Sequence, residues 1–344
     1  MHELQQAANT GGSRAPAPSW KRALASAIRD PEVLLKELGL GASQVPGVDL
    51  KAAGFPLVVP RSFLARMRSG DPHDPLLRQV LSLDVEHDAV PGYVRDPVGD
   101  LASAQSAGVL HKYAGRVLVI AASACAVHCR YCFRRHFPYD GAPQGSASRD
   151  AACAYVASDS SIHEVILSGG DPLLLGDDGL REWSERLSAI PHVTRLRLHT
   201  RLPIVLPSRV DDGLLGWLDG NRALGLTTWF VVHANHPAEL EGDCAAALRR
   251  LVSAGVPVLN QAVLLRGVND DADVLAALCE RLVDLGVQPY YLHQLDPVAG
   301  AAHFLVPQER GLALMAALRQ RLSGYAVPRY VREVPGELHK VDLN

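Results

Sequence analysis

From about residue 115 onward, short apolar or β-branched runs alternate with stretches of helical spacing. The runs are RVLVIAA (116–122), EVILS (164–168), RLRLH (195–199), TTWFVV (227–232), VPVLNQAVLL (256–265), VQPYYLH (287–293) and RYVREV (329–334). Helical stretches such as LREWSERLSAI and DCAAALRRLVSAG lie between them. Strands that alternate with helices predict βαβ units and a parallel sheet. About six such units over roughly 200 residues suit a barrel or partial barrel, an α/β fold.

The first third is patterned differently. Residues from about 18 to 100 read as helical. In RDPEVLLKELGLG, Asp30 is placed to cap a helix, Pro31 to open it and Gly39 to end it. HDPLLRQVL repeats the device with Asp74 and Pro75, and FPLVVPRSFLARM between them reads as an extended piece leading into a short helix. The expected organisation is a floppy leader over 1–17, a helical N-terminal region over 18–110 and the main α/β unit over 111–344. No internal repeat of solenoid period is present.

Composition narrows the function classes. Thirty-four basic against thirty-seven acidic residues leave a net charge of −3, which argues against a nucleic-acid or anionic-membrane surface. No apolar run approaches the ~20 residues of a membrane span. The opening MHELQQAANTGGSRAPAPS has neither the basic start nor the apolar stretch of a secretory signal. The expected compartment is the cytoplasm, where structural disulfides are rare.

Polar residues recur where the predicted strands end, the end at which β/α barrels collect their chemistry. Three cysteines follow the first strand and SGGDP the second. His199 and Arg201 follow the third, and His233 and His236 the fourth. Asn260 and Gln261 interrupt the fifth, and His293 and Asp296 follow the sixth. The cysteines, Cys125, Cys129 and Cys132 in CAVHCRYCFRR, are spaced C-x3-C-x2-C. Zinc sites use four ligands, so His128 or His136 would have to complete one. A redox dithiol would leave the third thiol idle. Three thiolates would instead hold an iron–sulfur cube with one iron left open. Cys153, Cys244 and Cys279 lie in apolar helical stretches and read as buried fillers.

C-x3-C-x2-C after the first strand of a β/α domain, with SGGD after the second, resembles the radical SAM superfamily. That resemblance implies a [4Fe-4S] cluster on the three cysteines, whose open iron chelates S-adenosyl-L-methionine and whose electron splits it to a 5′-deoxyadenosyl radical. The chain ends RYVREVPGELHKVDLN, and a Pro-Gly turn after the last strand is placed to swing Lys340 over the barrel mouth. Lysine is the side chain that forms a Schiff base with pyridoxal 5′-phosphate.

Some 230 residues, from HKYAGRVLVI through ILSGGDPLLL, HANHPAE and PYYLHQLDPVAGAAHF to SGYAVPRYVREVPGELHK, resemble the lysine 2,3-aminomutase family. The implied fold is a partial (β/α)6 radical SAM barrel with an N-terminal helical extension. The implied activity is an intramolecular amino transfer on L-lysine. By motif, Cys125, Cys129 and Cys132 would hold the cluster and Lys340 the pyridoxal phosphate. Lys112, Tyr113 and Arg116 would lie near its phosphate. Ser168, Gly169, Gly170, Asp171, His233 and Gln261 would line the S-adenosylmethionine site. Arg134 would pair with the substrate carboxylate, and Asp296 and Glu333 would face its distal ammonium.

Several positions depart from the family pattern. Lys112 stands for an arginine, Tyr131 for a histidine and Glu333 for an aspartate. Catabolic members also run on past the position of Asn344. Together with CRYCFRRHFPY, these features resemble the subgroup that makes (R)-β-lysine for modification of elongation factor P, which a partner ligase attaches. An electron donor of the flavodoxin or ferredoxin class is implied. Catabolic production of free β-lysine, a PLP-free radical SAM RNA-modifying enzyme and a zinc protein are the alternatives.

Overall fold

Alternation within each strand decides what faces the lumen of this protein. In the computed structural model, which describes residues 19–51, 54–106, 108–139 and 145–343, ten strands form one sheet in sequence order. They are β1 (Ala104–Ser106), β2 (Val109–Tyr113), β3 (Arg116–Ala122), β4 (Glu164–Gly169), β5 (Arg195–His199), β6 (Thr227–Val232), β7 (Val258–Val263), β8 (Gln288–His293), β9 (Arg329–Arg332) and β10 (Val341–Asp342). Pairing is parallel from β3 to β9 and antiparallel for β1/β2, β2/β3 and β9/β10.

Helices Ser146–Ser158, Gly176–Ser188, Asp212–Ala223, Gly242–Ser253, Ala272–Asp284 and Gln308–Arg321 follow β3 to β8 in turn. The six βα units are those of a (β/α)6 partial barrel. Their helices bury an apolar stripe, for example Leu275, Leu278 and Leu282, and the strands bury apolar side chains such as Val165 and Leu167. Asp211 and Asp271 cap two of them by accepting from Leu214 N and from Asp273 N and Val274 N.

The strand bounds read from the pattern hold within a residue or two. β2 differs: the pattern marked no strand before residue 116, yet residues 109–113 form one that turns through Gly115 (φ 77°) into β3. Before it, helix comes in short pieces, Ser19–Ala25, Pro31–Glu37, Arg61–Leu64 and Pro75–Arg78, because proline and glycine punctuate every run. Asp30 and Asp74 do cap as expected. Trp20, Leu34, Phe63, Leu76 and Leu77 join the same apolar cluster as the barrel. The expected leader lies outside the described residues. Among the described residues no helix is long and apolar enough to cross a membrane.

The early segment matters to the site because it braces two of its loops. Gln79 O accepts from Arg130 N at 2.9 Å, and buried Glu86 takes bonds from Arg130 Nε (2.9 Å) and Arg135 Nη2 (2.8 Å). Val94 pairs with Val298, two residues beyond Asp296.

Candidate active site

A cavity of about 1100 Å³ fills the lumen. Strand alternation lines it: Glu164, Ile166 and Ser168 from β4, Arg195, Arg197 and His199 from β5, Leu259, Gln261 and Val263 from β7. Asn260 points the other way and bonds Ala234 through both its side-chain atoms. Every residue assigned by motif lines this cavity: Cys125, Cys129 and Cys132, the Ser168–Asp171 loop, Lys112, Tyr113, Arg116, Arg134, His233, Gln261, Asp296, Glu333 and Lys340.

The cysteine loop follows β3 and doubles back tightly, Cys132 N donating to Cys129 O at 3.0 Å. Burial pushes the Cys125 thiol up, as do Cys132, Asp171 and Cys129 beside it. Burial and Cys129 likewise push Cys132 to about 11. Ligation by iron would therefore displace protons. Among the described residues no three His, Cys, Asp or Glu side chains converge on a single ion. An iron–sulfur cube does not ask for that convergence, since each thiolate takes a different iron, and three sulfurs on one cavity wall suit it.

Gly169 and Gly170 were expected to admit a ligand. Their geometry shows a nearer reason. Gly169 has φ 109°, and a Cβ there would sit 2.4 Å from Ala122 O; one on Gly170 would sit 2.1 Å from Ala124 O. The pair lets β4 run on against the chain that leads into Cys125, with Gly170 N on Ala122 O (2.7 Å) and Asp171 N on Ala124 O (2.8 Å). Asp171 is a brace within that junction. It accepts from Thr200 Oγ1 and Arg201 N, both at 2.7 Å, and from Leu173 N at 3.1 Å. Burial lifts it to about 6 against those bonds.

Lys340 comes in from the turn between β9 and β10, where Gly336 has φ 87°. Its ammonium bonds Glu333, which also accepts from Tyr113 Oη (2.6 Å) and lies 3.5 Å from Lys112 Nζ. Lys112 is held mainly by Asp100 (2.7 Å) and by Val98 O (2.8 Å). The same buried Asp100 receives Arg134 Nε at 2.6 Å, and Arg134 Nη1 reaches Ser168 Oγ at 3.4 Å. Burial alone would raise the Asp100 carboxyl, but Arg134 and Lys112 outweigh it and hold it low. Arg116 lies over the Tyr113 ring at 4.7 Å, and among the described residues it has no carboxylate partner.

Asp296 stands apart. Its Oδ1 is buried without a partner, and burial lifts its carboxyl to about 7, with Lys340 pulling down and Glu333 pushing up. His199 Nε2 is likewise buried and unpartnered. Burial keeps His199, His293 and His233 neutral, His233 at about 3.

Pattern reading missed Asp100, which nothing in RDPVGDL marks as buried. It also missed Glu239, whose signal was present: His236 and Glu239 form the reciprocal cap of the turn Pro237–Leu240.

Sequence comparison places this geometry among known proteins. No family model matches the chain. It is 44% identical over 327 residues to an L-lysine 2,3-aminomutase of Escherichia coli, and 43% identical over 322 residues to one of Haemophilus influenzae; each alignment covers 94% of both chains. The L-lysine 2,3-aminomutase of Clostridium subterminale is 33% identical over 92% of this chain and 76% of its own. Among solved structures, a radical SAM methyltransferase from Sphaerobacter thermophilus aligns over 65% of this chain and 68% of its own, at 20% identity and a TM-score of 0.42.

Proposed function

The chain belongs to the L-lysine 2,3-aminomutase family of isomerases, and from that premise we propose that it moves the α-amino group of L-lysine to the β carbon, yielding (R)-β-lysine for modification of elongation factor P. The observation that carries the first half is the shared cavity: three thiols and a lysine line one lumen, with Arg134 and Asp296 on its wall. The subgroup likeness of CRYCFRRHFPY supports the second half.

The family works with a [4Fe-4S] cluster, S-adenosyl-L-methionine and pyridoxal 5′-phosphate. The residues here fit that set: three sulfurs, the loop Ser168–Gly170 with His233 and Gln261 beside it, and Lys340 with the carboxylate-free Arg116. When bound, these groups would supply a carbon radical that abstracts hydrogen and a carbonyl that carries the migrating nitrogen.

The chain's own contribution is placement. Lys340 would hold the pyridoxal group covalently, which removes its charge from Glu333. Arg116 would take the phosphate, and Lys112, already tied to Asp100, would add charge from one side. Arg134 keeps one edge on Asp100 and would turn the other to the substrate carboxylate as a planar fork. Asp296 would receive the distal ammonium, which satisfies its unpaired oxygen and favours the carboxylate form. Glu333, released by Lys340, would share that ammonium. Burial excludes water, so the arrangement selects a diamino acid over a neutral one. A neutral His233, bonded to Tyr131 Oη at 2.9 Å, would present an uncharged edge to the adenosyl group.

The test is an anaerobic assay with L-lysine, reductant, S-adenosylmethionine and pyridoxal phosphate that resolves α- from β-lysine and the product's hand. (R)-β-lysine is expected, and its transfer to elongation factor P by the partner ligase should follow. Failure to form β-lysine with a loaded cluster overturns the activity. Formation without transfer leaves a free aminomutase and overturns the destination.

A further inference from the structure

Arg201 is absent from the residues that resemblance assigns, yet it is a buried cation of the cavity wall whose two terminal nitrogens are both bonded. It sits two residues after β5, and Asp171 Oδ2 holds its backbone N–H at 2.7 Å. The residue is 7% exposed. Nη1 donates to Cys129 Sγ at 2.7 Å, and Nη2 donates to Gln79 Oε1 (2.7 Å) and Glu239 Oε2 (2.9 Å). The Phe63 and Tyr131 rings flank the guanidinium at 5.4 and 5.8 Å. Glu239 is fully buried and is held by Gln79 Nε2 (3.0 Å), Asn235 N (2.9 Å) and His236 N (3.2 Å). Burial alone would raise Glu239, but Arg201 and these bonds keep it ionised.

A buried ion pair of this kind costs desolvation that its own attraction does not reliably recover, so its presence asks for a reason beyond stability. The Cys129 sulfur supplies one. We infer that Arg201, anchored by Glu239, sets how readily a cluster ligated by Cys129 accepts its electron. Arg201 is thus a positioning residue for the reaction, and the inference rests on the cluster reading above. One-electron reduction takes [4Fe-4S]²⁺ to [4Fe-4S]⁺, the electron coming from a low-potential one-electron donor, and no bond to the protein forms or breaks. The added negative charge spreads onto the cluster and its thiolates. A donor N–H on one thiolate stabilises the reduced state more than the oxidised one and raises the potential. Seclusion from water strengthens the effect. Glu239 works against it: its charge offsets that of the guanidinium, while its bonds aim the N–H at sulfur.

The two residues therefore pull the cluster in opposite directions, and this can be read directly. Wild type, Glu239→Gln, Arg201→Lys and the double variant Arg201→Met/Glu239→Gln are reconstituted anaerobically with iron and sulfide. Metal content is counted, and each sample is titrated with dithionite and mediators under electron paramagnetic resonance. The double variant, which leaves no charge buried alone, should lower the ratio of reduced to oxidised cluster at fixed potential by at least tenfold, a fall of about 59 mV for one electron. Glu239→Gln should raise that ratio, and Arg201→Lys should fall between wild type and the double variant. Ratios within threefold of wild type across all variants, or shifts of one sign, overturn the inference while leaving the aminomutase reading intact. If the double variant retains no cluster, the direction in Glu239→Gln decides. A wild type that takes up no cube overturns the aminomutase reading and this inference with it.

Discussion

The cysteine region and the lysine region of the cavity both pair buried charges, but they leave different groups unpaired. Around the cysteines, charges meet inside the protein: Arg201 with Glu239, and Arg130 and Arg135 with Glu86. There the unpaired buried atoms include the Nε of Arg201 and of Arg135, on guanidinium groups that are otherwise bonded; around the lysine Glu333 and Asp100 are paired, but Asp296 Oδ1 and His199 Nε2 are buried with no partner and line the cavity. Each such orphan costs roughly 1–3 kcal/mol, a cost that is relieved where a ligand supplies the missing bond. The first arrangement holds a rigid group in place. The second waits for something that arrives and leaves.

The contrast can be broken most severely at its two poles. Lys340→Ala should abolish β-lysine formation while iron and sulfide still load, whereas Cys129→Ala should lose both; full turnover in either variant would remove that residue from the chemistry. Next in size, Asp296→Asn should lower kcat/KM for lysine by a factor equivalent to about 2–5 kcal/mol, as loss of one member of a buried charge pair does, with little change in cluster content. Unchanged kinetics would take the ammonium elsewhere.

The same residue sharpens the contrast through pH. The free Asp296 carboxyl titrates near 7, and only its ionised form attracts an ammonium. In the loaded enzyme Lys340 no longer pulls it down, so the lysine kcat/KM should fall as pH drops through a value above about 7, and the limb should vanish in Asp296→Asn. Stability runs the other way. A folded value above the ordinary one means the native state holds that proton more tightly, so the stability it lends is full below about 4 and lost as pH rises through about 7. Smaller still, Gly170→Ala should destabilise the cofactor-free protein by about 1–3 kcal/mol in thermal or denaturant unfolding, because its Cβ meets Ala124 O at 2.1 Å. A neutral result there would mean that the junction between β4 and the cysteine loop can yield. At the far end of the scale, Asp30→Ala, well away from either pole, should cost about 1 kcal/mol of stability through its lost cap and leave turnover untouched.

Much of this was legible in the residues. The seven parallel strands could be read from their runs because the face each strand turns to the helices must stay largely apolar even where the lumen face is polar, and polar residues at their ends pointed to the functional face. The glycine pair could be read as a place of close approach, but that the chain leading into Cys125 is one of the things it approaches could not, since a sequence cannot say which backbone comes near. β2 was missed because HKY carries charge into a strand that lines a cavity rather than a core.

Local chemistry determined the elements by itself: period-two apolar runs, aspartate caps before Pro31 and Pro75, and thiols spaced for one short loop. These depend on neighbours within a few positions, and so they survive in a one-dimensional record. Only the tertiary structure decided the pairings. Asp100 lies between Lys112 and Arg134, Glu333 meets Lys340, and Gln79 and Glu239 close on Arg201 across 122 and 38 positions of chain. Which charge is satisfied and which is left facing the lumen depends on where the folded backbone delivers each side chain, and burial then multiplies the consequence by stripping away the water that would have made the choice unimportant.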